Sequence, residues 1–134
     1  MNIALMAHDR KKELMVQFCI AYCGILQEHT LIATNTTGRL IAEATGLDME
    51  LYMSAAQGGA QQIGARIAYN EIDLVMFFCD PSRPELAAQV NELARLCDMY
   101  NIPFASNVAT AEVLIQGLRR GDLDWRDIVN PKRK

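Results

Sequence analysis

Short apolar runs alternate with longer stretches of helical spacing along this chain. Apolar runs of this length, bounded by polar or turn residues, are typical of buried strands, and they occur at 2–7, 30–33, 50–53, 72–78 and 102–105. Between them, apolar side chains recur every three or four residues, which predicts helices over 10–28, 38–45, 59–70, 85–100 and 109–119. The polar segment from Gly121 onward is predicted to lie on the surface.

Strands that alternate with helices predict an α/β fold, with a parallel sheet covered by helices on both faces. We see no linker or internal repeat, so residues 1–134 are expected to form one domain. Ligands of such sheets bind beyond the carboxyl ends of the strands. Polar or glycine-rich segments follow each predicted strand there, at 8–9, 34–38, 54–59, 80 and 106–107.

A glycine turn follows the third predicted strand, where Gly58 and Gly59 precede Ala60 and a helix. Paired glycines let backbone N–H groups approach a ligand, and the start of a helix favours negative charge. This geometry suits an anionic ligand. Ala60, at the centre of the segment, cannot transfer a proton, so the place where we expect a base is empty.

Three threonines follow the second predicted strand. The hydroxyls of Thr34, Thr36 and Thr37, together with backbone N–H groups at a helix start, suit a phosphate. The alternative is an ordinary helix cap with turn residues. Lys12 could supply a point charge to the same phosphate, or it could be a solvated lysine.

His8 and Asp80 each directly follow a predicted strand. Histidine can act as an acid, a base or a polarising donor near neutral pH, although a single histidine is often structural. A carboxylate after an apolar strand is expected to be desolvated, which raises its pKa. The alternative for Asp80 is a cap or turn aspartate before Pro81.

Composition narrows the classes of protein. Hydrophobic residues make up 51% and charged residues 22%, as in soluble globular domains. The net charge of −3 argues against a nucleic-acid surface. No run approaches the ~20 apolar residues of a membrane span, and no signal-peptide pattern occurs, so we expect a cytoplasmic protein. No zinc pattern surrounds the cysteines, which are interpreted as buried thiols: Cys19, Cys23, Cys79 and Cys97.

The ordered motifs of the chain resemble the methylglyoxal synthase family from residue 2 to about 118. The motifs are AHD at 7–9 with Lys12, ATNTTG at 33–38, ATG at 44–46, GGAQQIG at 58–64, FCDP at 78–81, and NIP with SNVAT within 101–110. The resemblance implies a three-layer α/β/α domain with a five-stranded parallel sheet, assembled as a homohexamer. It also implies conversion of dihydroxyacetone phosphate to methylglyoxal and phosphate without a metal or organic cofactor.

The resemblance assigns roles to individual positions. It matches His8 to a histidine that contacts the substrate's oxygens, and Asp80 to an active-site aspartate. The positions that match the family's phosphate-binding residues are Lys12, Thr34, Thr36, Thr37 and Ser54. The glycine turn before the helix adds Gly58 and Gly59 as candidate phosphate-binding residues. Related domains in carbamoyl phosphate synthetase and in the purine-pathway cyclohydrolase bind or transform other ligands, so the fold alone does not settle function.

The departures from the family pattern fall at positions expected to line one pocket. Ala60 replaces the aspartate that is the family's catalytic base, and Asn35 replaces a glycine. Ala55 and Ala56 replace Gly-Pro, and the loop at 82–89 is shorter and lacks the family's assisting His and Asp. We interpret this as a diverged or engineered active site, impaired or inactive on the family's substrate. The alternative is a phosphate-binding or small-ligand scaffold with a reassigned pocket, or a different acid–base activity through Asp80 or His8.

Overall fold

The computed structural model describes residues 1–130. Its sheet contains five parallel strands in the order β3-β2-β1-β4-β5. This confirms the predicted five-stranded parallel sheet. The strands are β1 (Asn2–Ala7), β2 (Thr30–Thr34), β3 (Met49–Tyr52), β4 (Leu74–Phe78) and β5 (Phe104–Ala105).

Helices connect successive strands and cover the sheet on both faces. They are α1 (Lys12–Ala21), α2 (Cys23–Leu26), α3 (Asn35–Thr45), α4 (Gly59–Ala68), α5 (Ala87–Met99), α6 (Val108–Arg120) and α7 (Trp125–Val129). Successive side chains of a strand point to opposite faces. Ile3 and Leu5 of β1 accordingly join one buried cluster, while Ala4 and Met6 join the other. These two clusters are the interfaces between the sheet and its helical layers.

Two predicted helices differ from those in the structure. The helix predicted over 10–28 is divided at Tyr22, whose backbone leaves the helical region before α2 begins. The helix predicted over 38–45 begins earlier, at Asn35, immediately after Thr34 ends β2. The second difference matters for function, because it places the predicted phosphate-binding threonines in the first turn of α3.

The segment after Gly121 was predicted to lie on the surface, and this is wrong for Arg126. Arg126 lies in α7 with 0% of its surface exposed. Its Nε lies 3.0 Å from Oδ1 of the buried Asp73, and its Nη1 donates to the carbonyls of Tyr100 and Asn101. The buried ion pair and these carbonyls explain why a charged residue in a polar segment is inside the protein.

The four cysteines carry free thiols. Cys19 and Cys97 are buried as predicted, and burial raises the pKa of each thiol to about 12. Cys23 and Cys79 are only partly buried, so the prediction is wrong for these two. Within residues 1–130, no helix combines the length and apolar character that crossing a membrane requires.

Candidate active site

His8 and Asp80 meet at the carboxyl edge of the sheet. Their strands, β1 and β4, are neighbours with Ala7 opposite Phe78. The backbone N–H of His8 continues the ladder to the carbonyl of Phe78 at 3.0 Å. In return, the backbone N–H of Asp80 donates to His8 Nδ1 at 2.8 Å. Strand pairing therefore brings together two residues that are 72 positions apart in the sequence.

The hydrogen bond from Asp80 defines the state of the His8 ring. Because Nδ1 accepts a hydrogen bond, a neutral His8 carries its proton on Nε2. Burial is the largest influence on the pKa of His8 and lowers it, Lys12 and Arg83 lower it further, and Asp80 and Asp9 oppose them. His8 is thus a neutral N–H donor at neutral pH. Its Nε2 is buried and finds no partner among residues 1–130.

Asp80 is buried, but its carboxylate is held in a turn. Oδ1 accepts from the Ser82 hydroxyl at 2.6 Å and from the Ser82 backbone N–H at 3.0 Å. The Ser82 hydroxyl bond is the main reason that the pKa of Asp80 lies below its ordinary value. The expectation of a raised pKa is therefore wrong, because two hydrogen bonds to the anion outweigh its desolvation. The contacts of Oδ1 agree with the alternative prediction, in which Asp80 is a turn aspartate before Pro81.

A cavity of about 360 Å³, here called the His8 cavity, opens beside these two residues. It lies between the ends of β1, β4 and β5 and the start of α5. Its lining residues are His8, Cys79, Asp80, Pro81, Arg83, Pro84, Ala87, Val90, Asn91 and Ser106. Sequence reasoning missed Arg83 and Asn91. Arg83 follows Asp80 by three positions, but nothing in the sequence pattern indicates that α5 brings Asn91 to the same place.

The first turn of α3 carries the predicted phosphate-binding threonines. Thr34, the last residue of β2, precedes the helix, and its side chain makes no capping hydrogen bond. Thr36 is exposed. Thr37 is only 1% exposed, yet its Oγ1 has no hydrogen-bond partner within the described chain. A buried hydroxyl without a partner is costly, so Thr37 Oγ1 is a candidate ligand contact.

Lys12 begins α1 and is anchored at the end of β1. Its Nζ donates to the carbonyl of Ala7 and to Oδ1 of Asp9, both at 2.9 Å. The carboxylate of Asp9 is almost fully exposed, whereas most of the Lys12 side chain is covered. An ammonium group has three donors, so the geometry leaves one available to an anion at the edge of β1.

The turn after β3 requires its glycines. Gly58 has φ +102°, a conformation that side chains rarely adopt. A Cβ on Gly59 would lie 1.8 Å from the carbonyl oxygen of Met53. The Gly59 N–H donates to the Ser54 carbonyl at 2.9 Å, and the Asn35 N–H donates to Met53 at 3.4 Å. The turn is therefore packed against the start of α3.

The predicted site residues do not line one pocket. Asn35 and Ser54 share a separate depression of about 440 Å³. Ala60 is 1% exposed and lines a third groove of about 420 Å³, with Gly64 and Leu93. As the second residue of α4, Ala60 packs into the buried cluster beneath that helix. Ala60 does not line the His8 cavity.

A cavity of about 520 Å³ lies at the opposite edge of the sheet. It is lined by the start of β2 and the end of α3, including Leu31, Thr45 and Leu47. None of the predicted site residues lies there. The carboxyl edge, which carries His8, Asp80 and the threonines on neighbouring strand ends, remains the candidate site.

The lowered pKa of His8 predicts that stability falls as the medium is acidified from about pH 7.5 to about pH 5.5. The unfolded chain binds a proton near pH 6.5, whereas the folded protein resists protonation until lower pH. His29, whose pKa is also lowered chiefly by burial, acts in the same direction. Urea unfolding should show a smaller acid-induced loss in both His8→Gln and His29→Gln than in the unchanged protein. An equal loss in all three would contradict this assignment.

Comparison with known proteins agrees with the fold. Residues 15–106 match the family model described as the MGS-like domain. A methylglyoxal synthase of Caldicellulosiruptor saccharolyticus is 63% identical over 137 aligned positions, covering 98% of this chain and 94% of the relative. A methylglyoxal synthase of Listeria monocytogenes is 55% identical, covering 96% of each chain.

A solved structure agrees as well. The crystal structure of methylglyoxal synthase from Elizabethkingia anophelis superimposes with a TM-score of 0.77 at 41% identity, over 85% of this chain and 76% of that one. The chain therefore belongs to the methylglyoxal synthase family. The alignment with the Caldicellulosiruptor relative is longer than this chain's 134 residues, so the relative carries additional residues within it. A shorter loop after Asp80 is consistent with this difference.

Proposed function

We propose that the protein binds a small phosphorylated ligand at the start of α3, and that its turnover of dihydroxyacetone phosphate is impaired. The observation that carries the proposal is the buried, unpartnered Oγ1 of Thr37 in the first turn of a helix. Helix N-termini attract phosphate through free N–H groups and the helix dipole. Lys12, anchored at the neighbouring strand end, adds a positive charge.

Impairment follows from Ala60. The family relationship supports methylglyoxal synthase chemistry, in which the matching aspartate is the base. An alanine methyl group buried beneath α4 cannot accept a proton. Asp80 is a poor substitute, because its lowered pKa makes it a weaker base than an ordinary carboxylate.

The alternative function is a ligand-binding scaffold, or an enzyme in which His8 acts on a different substrate. The unpartnered Nε2 of His8 favours this reading, since a neutral N–H donor could polarise a carbonyl group without any base at position 60. It differs from the first proposal in that dihydroxyacetone phosphate would bind without reacting.

Assembly and location are further parts of the proposal. We propose a cytoplasmic homohexamer that uses no metal or organic cofactor, on the basis of the family relationship. Exposed apolar side chains on α1, α3 and α6, namely Ile20, Leu40 and Val113, support burial against other subunits. Sedimentation velocity would measure the oligomeric state directly.

Phosphate binding can be tested with Thr37→Val, which keeps the shape of the side chain and removes the hydroxyl. A hydrogen bond to a charged group contributes ~1.5–3 kcal/mol, so the Kd for inorganic phosphate should rise ~10- to 100-fold. The thermal midpoint should stay constant or rise, because an unpaired buried hydroxyl is removed. Calorimetric titration measures the first quantity and thermal unfolding the second.

Thr45→Val is the matched control. The Thr45 hydroxyl bonds within its own helix end, to the Ile41 carbonyl and from the Leu47 N–H, so its loss should lower stability without changing phosphate affinity. Unchanged phosphate affinity in Thr37→Val would refute the binding proposal.

The proposed impairment predicts that methylglyoxal formation from dihydroxyacetone phosphate is ~10²–10⁴-fold slower than that of the Caldicellulosiruptor relative. Comparable rates would refute the proposed impairment.

A further inference from the structure

The His8 cavity and the start of α3 lie on opposite sides of the end of β1. β2, which leads into α3, borders β1 on one side, and β4, which leads to Asp80, borders it on the other. The cavity extends as far as Ser106, just beyond β5. Neighbouring strands are ~4.8 Å apart, so the distance from the end of β2 to the end of β5 is about 14 Å.

His8 lies between these two regions. Two positive charges lower the pKa of its ring: that of Lys12, which is anchored at the end of β1, and that of Arg83, which lines the cavity. A three-carbon phosphate measures about 6 Å at ~1.5 Å per bond. Such a ligand, with its phosphate at α3, would end near His8 and leave the cavity unfilled. The volume of about 360 Å³ is large enough for part of a small-molecule ligand.

The wall of the cavity is largely apolar, and four of its lining residues carry hydrogen-bond donors. Asn91 contributes an amide and Ser106 a hydroxyl, and His8, whose unpartnered Nε2 is buried, lies in the same wall. Arg83 adds a guanidinium group, whose ion pair with Glu85 uses Nε. Ser82 holds the carboxylate of Asp80 as an anion, which opposes a negative ligand, so the favourable charge in the cavity comes from Arg83.

We propose that this site takes a sugar-acid phosphate of five or six carbons, with the phosphate at the start of α3 and a carboxylate in the His8 cavity. The inference deepens the proposed function and rests on its phosphate site. Arg83 and Asn91 are specificity-determining residues in this arrangement. A carboxylate suits them because guanidinium groups bind carboxylates through paired N–H donors.

The pair between Arg83 and Glu85 does not prevent this binding. Both side chains are more than half exposed, and exposed ion pairs contribute little to stability. A ligand carboxylate held by several donors in the cavity can therefore displace Glu85.

Calorimetric titration with three phosphates tests the proposal. Glycerol 3-phosphate is short, sorbitol 6-phosphate is a six-carbon chain without a carboxylate, and 6-phosphogluconate has the same length with one. We expect 6-phosphogluconate to bind at least about tenfold more tightly than sorbitol 6-phosphate, as charge-assisted hydrogen bonds imply. Gluconate, which lacks the phosphate, should bind much more weakly than 6-phosphogluconate.

Arg83→Gln should abolish the preference for 6-phosphogluconate and leave the affinity for sorbitol 6-phosphate unchanged. Arg95→Gln is the matched control, because Arg95 also forms an exposed ion pair, with Glu92, and does not line the cavity. Equal affinities for the two six-carbon phosphates, or a preference that persists in Arg83→Gln, would overturn the inference. If inorganic phosphate binds in a Thr37-dependent way in that case, the proposed function still stands; if it does not bind, both fail.

Discussion

Arg126→Ala is expected to destabilise the protein by ~3–5 kcal/mol, the cost of removing one partner from a buried ion pair. Asp73 is 2% exposed and would lose its guanidinium partner. The carbonyls of Tyr100 and Asn101 would lose their donor at the same time. Because domains of this size are stable by only ~5–15 kcal/mol, urea unfolding should show a much lower midpoint.

Arg120→Ala provides the matched control. Arg120 pairs with Asp122 on the surface, with both side chains more than half exposed, so its removal should change stability by less than ~1 kcal/mol. A double variant, Arg126→Met with Asp73→Asn, removes both charges and should be less destabilised than the sum of the single changes. A loss below ~1 kcal/mol in Arg126→Ala would show that α7 contributes little to the fold.

The fold was largely predictable because its signal is periodic. β4, from Leu74 to Phe78, is buried throughout and reads as a continuous apolar run. When helices connect successive parallel strands, the carboxyl ends of the strands all lie at one edge of the sheet. The polar residues that follow the strands therefore share that edge. Arg126 was not predictable, since a single arginine in a polar segment has no periodicity. Its burial depends on Asp73 and on two carbonyls more than twenty residues away.

The sequence indicates which edge of the sheet carries the candidate site residues, but not how those residues are arranged. The edge holding His8, Asp80 and Thr37 follows from the topology of parallel strands. The lowered pKa of Asp80 depends on a turn to Ser82, which the expected desolvation did not take into account. The separation of Ala60 from the His8 cavity depends on how α4 is rotated about its axis on the sheet. A pattern that distinguishes only hydrophobic from polar residues does not specify this rotation.

Ala60→Asp alone is expected to raise methylglyoxal formation by less than about tenfold, although a general base typically contributes ~10²–10⁴-fold. The new carboxylate would start from a buried position beside Gly64 and Leu93 rather than from the lining of the His8 cavity. Its location in the first turn of α4 favours the anion, so the side chain should be ionised but poorly aimed. The segment 82–89 after Asp80 also contains no His or Asp, the assisting residues that the resemblance implies.

The experiment compares kcat/KM for dihydroxyacetone phosphate in four proteins: the unchanged chain, Ala60→Asp, the chain with the Caldicellulosiruptor relative's loop after Asp80, and the combination. Groups that act together in catalysis are strongly non-additive, so only the combination should gain ~10²-fold or more. Gln61→Asp places the same charge on the neighbouring exposed position and controls for electrostatics. A gain of ~10²-fold from Ala60→Asp alone would show that the remaining pocket is already arranged for the family's reaction, and that position 60 is the one essential loss.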